Sequence, residues 1–131
     1  MTRNPDRPLS PHLTIFKWGP HMLVSILHRI TGAGLAILGL GVLTWWLMAI
    51  ASGAEAYATF TRFSTSWLGL IVLVGLTWAF FQHLLSGIRH LAMDSGAAFE
   101  LGTNKRFAVL TIVGSVILTA ALWAYVLGMR S

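Results

Sequence analysis

Three long apolar stretches divide the chain, and none of them alternates between apolar and polar positions. Windows without Asp, Glu, Lys or Arg run from Ile30 to Ala54, from Phe63 to Ile88 and from Phe107 to Met129. Each is long enough to cross a hydrocarbon layer about 30 Å thick at about 1.5 Å per helical residue. Backbone groups in lipid are satisfied only in helices or closed barrels, and barrel strands would show a period of two. The pattern predicts an all-α membrane protein with three transmembrane helices, over His21 to Ala51, Ser66 to Leu91 and Lys105 to Leu127.

The segment ahead of the first window has a different character. Residues 1–21 hold all four prolines, charges of both signs and no apolar core of the kind a signal peptide needs. The prolines disfavour a long helix. Residues 1–20 are therefore expected to be a retained, extended or turn-rich arm, and residues 21–131 the three-helix membrane unit.

Composition strengthens this division. Of 131 residues, 56% are hydrophobic and 10% charged, more apolar surface than a soluble domain of this size could bury. Cysteine is absent, which excludes disulfides, thiol catalysis and iron–sulfur ligation by this chain. The net charge of +5 lacks the basic, aromatic-interleaved stripe of a nucleic-acid surface, and its charges sit at the membrane borders. Arg3, Arg7, Lys17, Arg29, Arg89, Lys105 and Arg106 fall on one side of the predicted spans, and only Arg62 and Arg130 on the other. That bias puts the N-terminus and the second loop in the cytoplasm.

Candidate chemistry gathers at the cytoplasmic ends of the first two helices, in "SILHRITG" from Ser25 to Gly32 and "HLLSGIRH" from His83 to His90. His83, Gly87 and His90 recur at i, i+4 and i+7, close to one face of a helix. A flat ligand could be ligated by His83 and lie over Gly87, with Arg89 and His90 at the border suited to propionate groups. His90 cannot bind the same iron, because seven residues along a helix separate it from His83 by about 10.5 Å. A second axial imidazole must come from another helix, either His28 or a partner subunit. Arg29 is costly inside a span and calls for an anionic partner or a wet pocket, such as a propionate or a quinone headgroup. The bland alternatives are that the histidines hydrogen-bond helices together, that Arg29 snorkels, and that Asp94 pairs with Arg89 or His90. No protease or phosphate-binding motif is present, and no carboxylate lies within a span.

Taken in order, "RPLSPHLTIFK" (Arg7 to Lys17), "SILHRITG" and "HLLSGIRHLAMD" (His83 to Asp94) closely resemble the cytochrome b556 anchor family of succinate dehydrogenase, respiratory complex II. The resemblance covers the arm and two of the three helices; the third matches in length and position only. It implies a subunit of succinate:quinone oxidoreductase that does not itself oxidise succinate. Such a subunit binds haem b together with a second small membrane anchor, contacts the iron–sulfur and flavoprotein subunits, and helps form a ubiquinone site. Carried over by motif position, His83 is an axial ligand of the haem iron, with the other ligand from the second anchor. Ser25 and Arg29 line the quinone site, and His28 and Arg29 approach the haem propionates. His90 as a further propionate neighbour is a geometric inference. Phe16 stands where the family commonly has Tyr and Ser86 where Asn is common, and neither is expected to touch a proposed ligand. Membrane lipids are the surrounding solvent and no nucleic-acid partner is implied. A bacterial inner membrane is the expected location rather than a mitochondrial one. The competing functions are an anchor of a quinol:fumarate reductase and a haem-free structural or assembly protein.

Overall fold

A computed structural model describes residues 18–96 and 100–129. The arm motif from Arg7 to Lys17, with His12, lies outside the described residues. The first span runs from Pro20 to Ser52 as α1 (Pro20–Gly34), a five-residue π-helical turn (Leu35–Gly39) and α2 (Leu40–Ser52). Pro20 opens α1 after the extended Gly19, where its missing N–H and fixed φ cost nothing. The wide turn follows Gly34 and ends on Gly39, and its extra residue rotates the second half of the span relative to the first.

Gly53, at φ 101°, ends this span in a conformation that side chains rarely adopt. A short helix, α3 (Ala54–Ser64), follows, in a stretch that the apolar windows leave as a loop. Glu55 in its first turn and Arg62 in its last complement the helix dipole. Its apolar side meets Trp45, whose ring lies 5.0 Å from Phe60 and 5.2 Å from Phe63 by centroid. The turn into α4 (Trp67–Asp94) is tight: Ser66 accepts the Gly69 N–H at 3.2 Å and donates to the Phe63 carbonyl at 2.6 Å. A β-carbon on Gly69 would stand 2.1 Å from that carbonyl oxygen, so only glycine fits.

The last span, α5 (Leu101–Gly128), begins four residues before the expected Lys105. Each of the three long helices is long and apolar enough to cross a membrane, and α4 packs against both α1 and α5, which also touch each other. Contacts run antiparallel along both seams. On the α1 side, His28 meets Ser86, Gly32 meets His83 and Gly39 meets Leu76. On the α5 side, Arg89 meets Asn104, Gln82 meets Ser115 and Thr77 meets Trp123.

The interior is unlike that of a soluble protein. Among the described residues, Val24, Ala49 and Ala108 are the buried apolar side chains, whereas Thr31, Gln82, Ser86, Arg89, Thr111, Ser115 and Thr119 are the buried polar ones. Lipid tails are as apolar as leucine, so burying leucine gives little drive; small residues and interhelical hydrogen bonds hold the seams instead. The hydroxyls of Thr111, Ser115 and Thr119 bond to carbonyls of their own helix, so a polar stripe packs as if it were small and apolar.

Candidate functional site

Three histidines converge at one end of the α1–α4 seam. The His28 and His83 rings stack with centroids 4.0 Å apart and planes 7° from parallel. His90 meets His28 edge-on, with centroids 5.1 Å apart. Antiparallel packing explains the meeting: His83 and His90 lie two turns apart on α4, and His28 enters between their levels from α1.

Hydrogen bonds fix the protonation of both stacked rings. His83 Nδ1 lies 3.1 Å from the His28 carbonyl oxygen, which can only accept, so Nδ1 carries the proton and Nε2 keeps its lone pair. Thr31 Oγ1, at 3.4 Å, is a weaker second neighbour of the same nitrogen. His28 Nδ1 lies 2.7 Å from Ser86 Oγ. The Ser86 hydroxyl donates to the Gln82 carbonyl at 2.7 Å, so it accepts from His28. An imidazole whose Nδ1–H is held by a carbonyl, leaving Nε2 oriented and basic, is the usual state of a metal-binding histidine.

Space around the rings is uneven. A β-carbon on Gly32 would lie 2.8 Å from His83 Cε1, so this glycine lets the backbone of α1 come up against the ring. On the other side, His28, His83, Leu84, Gly87, Ile88, His90 and Leu91 line an open groove of about 460 Å³. Leu84, Ile88 and Leu91 are exposed along it. The residues present therefore fit a flat, apolar, iron-bearing ring: a free imidazole nitrogen, an apolar wall and a glycine that leaves the approach clear. Stacked rings 4.0 Å apart leave no room for a macrocycle between them, so His28 is not placed to ligate the far side of an iron bound by His83.

The remaining predicted residues are arranged less compactly. Ser25 is half-buried and Arg29 exposed on α1, and neither makes a hydrogen bond or ion pair with the described residues. Both side chains are free to meet a ligand or a partner. Arg89 departs from expectation: it is buried, with Nη2 donating to Asn104 Oδ1 on α5, and faces away from the histidines. One residue of helix rotates about 100°, which separates Arg89 from the His90 beside it. Asp94 is exposed and pairs with neither Arg89 nor His90 among the described contacts. Ser86, expected to stand clear, is the hydrogen-bond partner of His28. Thr31 and Gln82 were not singled out, although both lie at i+3 or i−1 from a histidine that was.

Fold and site together define a small polytopic membrane subunit with a histidine-lined groove at one end of its spans. The profile of the succinate dehydrogenase/fumarate reductase transmembrane subunit family matches residues 3–122. The chain belongs to that family. It is 41% identical over 113 residues to the succinate dehydrogenase cytochrome b556 subunit of Paracoccus denitrificans, with 86% of each chain covered. It is 36% identical to the protein of the same name from Rickettsia felis, covering 89% of this chain and 90% of that one. The mitochondrial succinate dehydrogenase cytochrome b560 subunit of Mus musculus is 34% identical over 91% of this chain and 71% of its own. With three spans, the chain is a multi-pass inner-membrane anchor of the dehydrogenase complex, not its succinate-oxidising subunit.

Proposed function

We propose that this chain is the haem- and quinone-binding anchor of a succinate:ubiquinone oxidoreductase, with its N-terminus in the cytoplasm. The observation that carries the reading is the His83 imidazole, protonated at Nδ1 by its bond to the His28 carbonyl and open at Nε2 beside the groove. His83 would hold the haem iron from this chain. The second axial ligand comes from another small anchor, because His28 is stacked on His83 and His90 lies two turns away. The names of the relatives, all succinate dehydrogenase subunits, favour the succinate-oxidising direction and imply flavoprotein and iron–sulfur partners.

When bound, haem b supplies a one-electron redox centre between the soluble subunits and the membrane. The protein holds it through His83, with His28, His90 and Arg29 available to its propionates. Ubiquinone reduction takes up two electrons and two protons, so its site must favour negative charge at the quinone oxygens. Ser25 donates a hydrogen bond to one of them, and the free Arg29 guanidinium makes the surrounding potential positive. The His28 carbonyl holds the tautomer of His83, and Ser86 holds that of His28.

Spectra and activities of the purified complex test this reading. His83→Ala removes the reduced b-type absorbance, and an unchanged spectrum would sink the ligand assignment. Arg29→Ala or Ser25→Ala lowers quinone reduction while succinate oxidation by a soluble artificial acceptor persists. Equal loss of both activities would mean that the residues serve assembly instead.

A further inference from the structure

Most of what restrains the His83 imidazole comes from His28. His83 Nδ1–H donates to the His28 carbonyl at 3.1 Å, and the His28 ring lies 4.0 Å away and 7° from parallel, so the backbone and the side chain of His28 each hold the His83 ring. The His28 ring is fixed in turn from α4. Its Nδ1 has one hydrogen-bond partner among the described residues, Ser86 Oγ at 2.7 Å. Gly87 touches the same ring only loosely, since a β-carbon there would lie 3.8 Å from His28 Cε1, so steric contact on that side does not set the ring's rotation. Ser86 is 0% exposed, and its one proton is committed to carbonyls of its own helix, Gln82 at 2.7 Å and His83 at 3.1 Å. Its oxygen therefore accepts from His28. His83 and Ser86 stand about one turn apart on α4, and the two bonds run in opposite senses across the seam: α4 donates to α1 through His83, and α1 donates to α4 through His28.

We infer that Ser86 is a positioning residue for the His83 imidazole and acts on it through His28. The inference rests on the haem reading and adds to it a residue that does not line the groove. Without the Ser86 hydroxyl, His28 Nδ1 faces a buried seam with no acceptor, and a buried donor left unpaired is costly. The His28 ring then turns, or moves its proton to Nε2, and the parallel stack opens. His83 loses the flat support that sets its rotation about the bond from Cβ to the ring, while its own Nδ1–H bond to the backbone is left to hold it alone. The hydrogen bond behind a ligating imidazole and the orientation of its plane are the protein's means of tuning the metal it binds. A serine buried in the seam thereby bears on the spectrum and the potential of the site without touching the ligand.

The test uses the whole complex and two signals: the highest g value of the oxidised low-spin iron by electron paramagnetic resonance, which follows the relative orientation of the axial imidazole planes, and the haem midpoint potential. Ser86→Ala keeps the haem and shifts both signals. Ser86→Thr retains a hydroxyl that can bond back to its own helix as Thr31, Thr111 and Thr119 do, and it returns both signals to the wild-type values. Ser115→Ala removes another buried hydroxyl, one with no bond to either histidine, and lowers the Tm with both signals unmoved. Ser86→Cys decides the matter if Ser86→Ala fails to assemble: it keeps the volume, but sulfur is a weak acceptor, so both signals shift in the same direction by a smaller amount. Signals in Ser86→Ala or Ser86→Cys that match the wild type, or an equal shift in Ser115→Ala, would overturn the proposal and leave His83 as the ligand. A wild-type complex with no b-type spectrum would overturn the haem reading itself.

Discussion

Gly32 offers the sharpest test of how the histidine site is built. A methyl group there would stand 2.8 Å from His83 Cε1 and 3.2 Å from Nδ1, about 0.6 Å short of ordinary contact at the closer atom. The ring cannot simply retreat. His28 stacks on it at 4.0 Å, and the His28 carbonyl holds Nδ1 at 3.1 Å. Gly32→Ala therefore moves the imidazole by a good fraction of an ångström or breaks its orienting hydrogen bond, and overpacking of this kind costs about 1–3 kcal/mol. Gly34, two residues along the same helix, has nothing within 4 Å of the equivalent position. Gly34→Ala is the matched control, because both substitutions gain the same helix propensity, about 0.5–1 kcal/mol, which cancels in the comparison. In the purified complex, Gly32→Ala lowers haem content or shifts the b-type spectrum and midpoint potential, and lowers the Tm relative to Gly34→Ala. If the two variants share haem content, spectrum and Tm, the close seam between Gly32 and His83 is not what orients the ring.

Two further substitutions probe the scaffold. Gly69→Ala drives a β-carbon to 2.1 Å from the Phe63 carbonyl oxygen, where both sides are backbone, so a loss of about 3 kcal/mol or more is expected as a fall in assembled complex and Tm; a neutral result would mean that the α3–α4 turn is looser than described. At the α4–α5 seam, the Ser115 hydroxyl shares its one proton between the Ile112 carbonyl at 2.8 Å and Gln82 Oε1 at 2.9 Å, while Gln82 Nε2 is buried without a partner. Ser115→Ala, which strands the whole amide, should cost about 1–3 kcal/mol, whereas Gln82→Leu, which removes it, should be nearly neutral. The double-mutant cycle should give a coupling near the average of about 0.6 kcal/mol for membrane-buried pairs, and zero coupling would remove the bond from the account.

The spans were legible because charge-free windows of membrane length admit one reading in lipid, and the histidines because polar groups at that depth stand out. What escaped was direction around each helix. Arg89 and His90 are neighbours in sequence and were assigned to one ligand, yet the 100° between them sends Arg89 to Asn104 and leaves His90 beside His28. Depth can be counted from a hydropathy window; the facing helix cannot. The third span looked featureless for a related reason: Ala108, Thr111, Ser115 and Thr119 recur at helical spacing, but Ala108 is apolar and the hydroxyls of the other three bond to carbonyls of their own helix, which leaves little apolar–polar contrast. The helix α3, at 11 residues, is too short to cross the membrane and so leaves no mark in a window of membrane length.

The segment from Gln82 to His90 thus carries two rows one residue out of phase. Gln82, Ser86 and Arg89 are buried and tie α4 to its neighbours, so they set its rotation. With that rotation set, His83, Gly87 and His90 face the groove, and Leu84, Ile88 and Leu91 stay exposed beside it. On the proposed reading the groove is half of a site, since this chain furnishes one oriented imidazole for the iron, with His28 stacked on it and His90 two turns away. An apolar flank exposed next to a polar cluster is what a ring bound between two subunits requires: the first ligand is fixed before assembly, and the second arrives with the chain that covers Leu84, Ile88 and Leu91. Haem retention should then depend on the partner anchor as strictly as on His83, and a b-type spectrum from this chain purified alone, with both axial positions filled by histidine, would contradict that dependence.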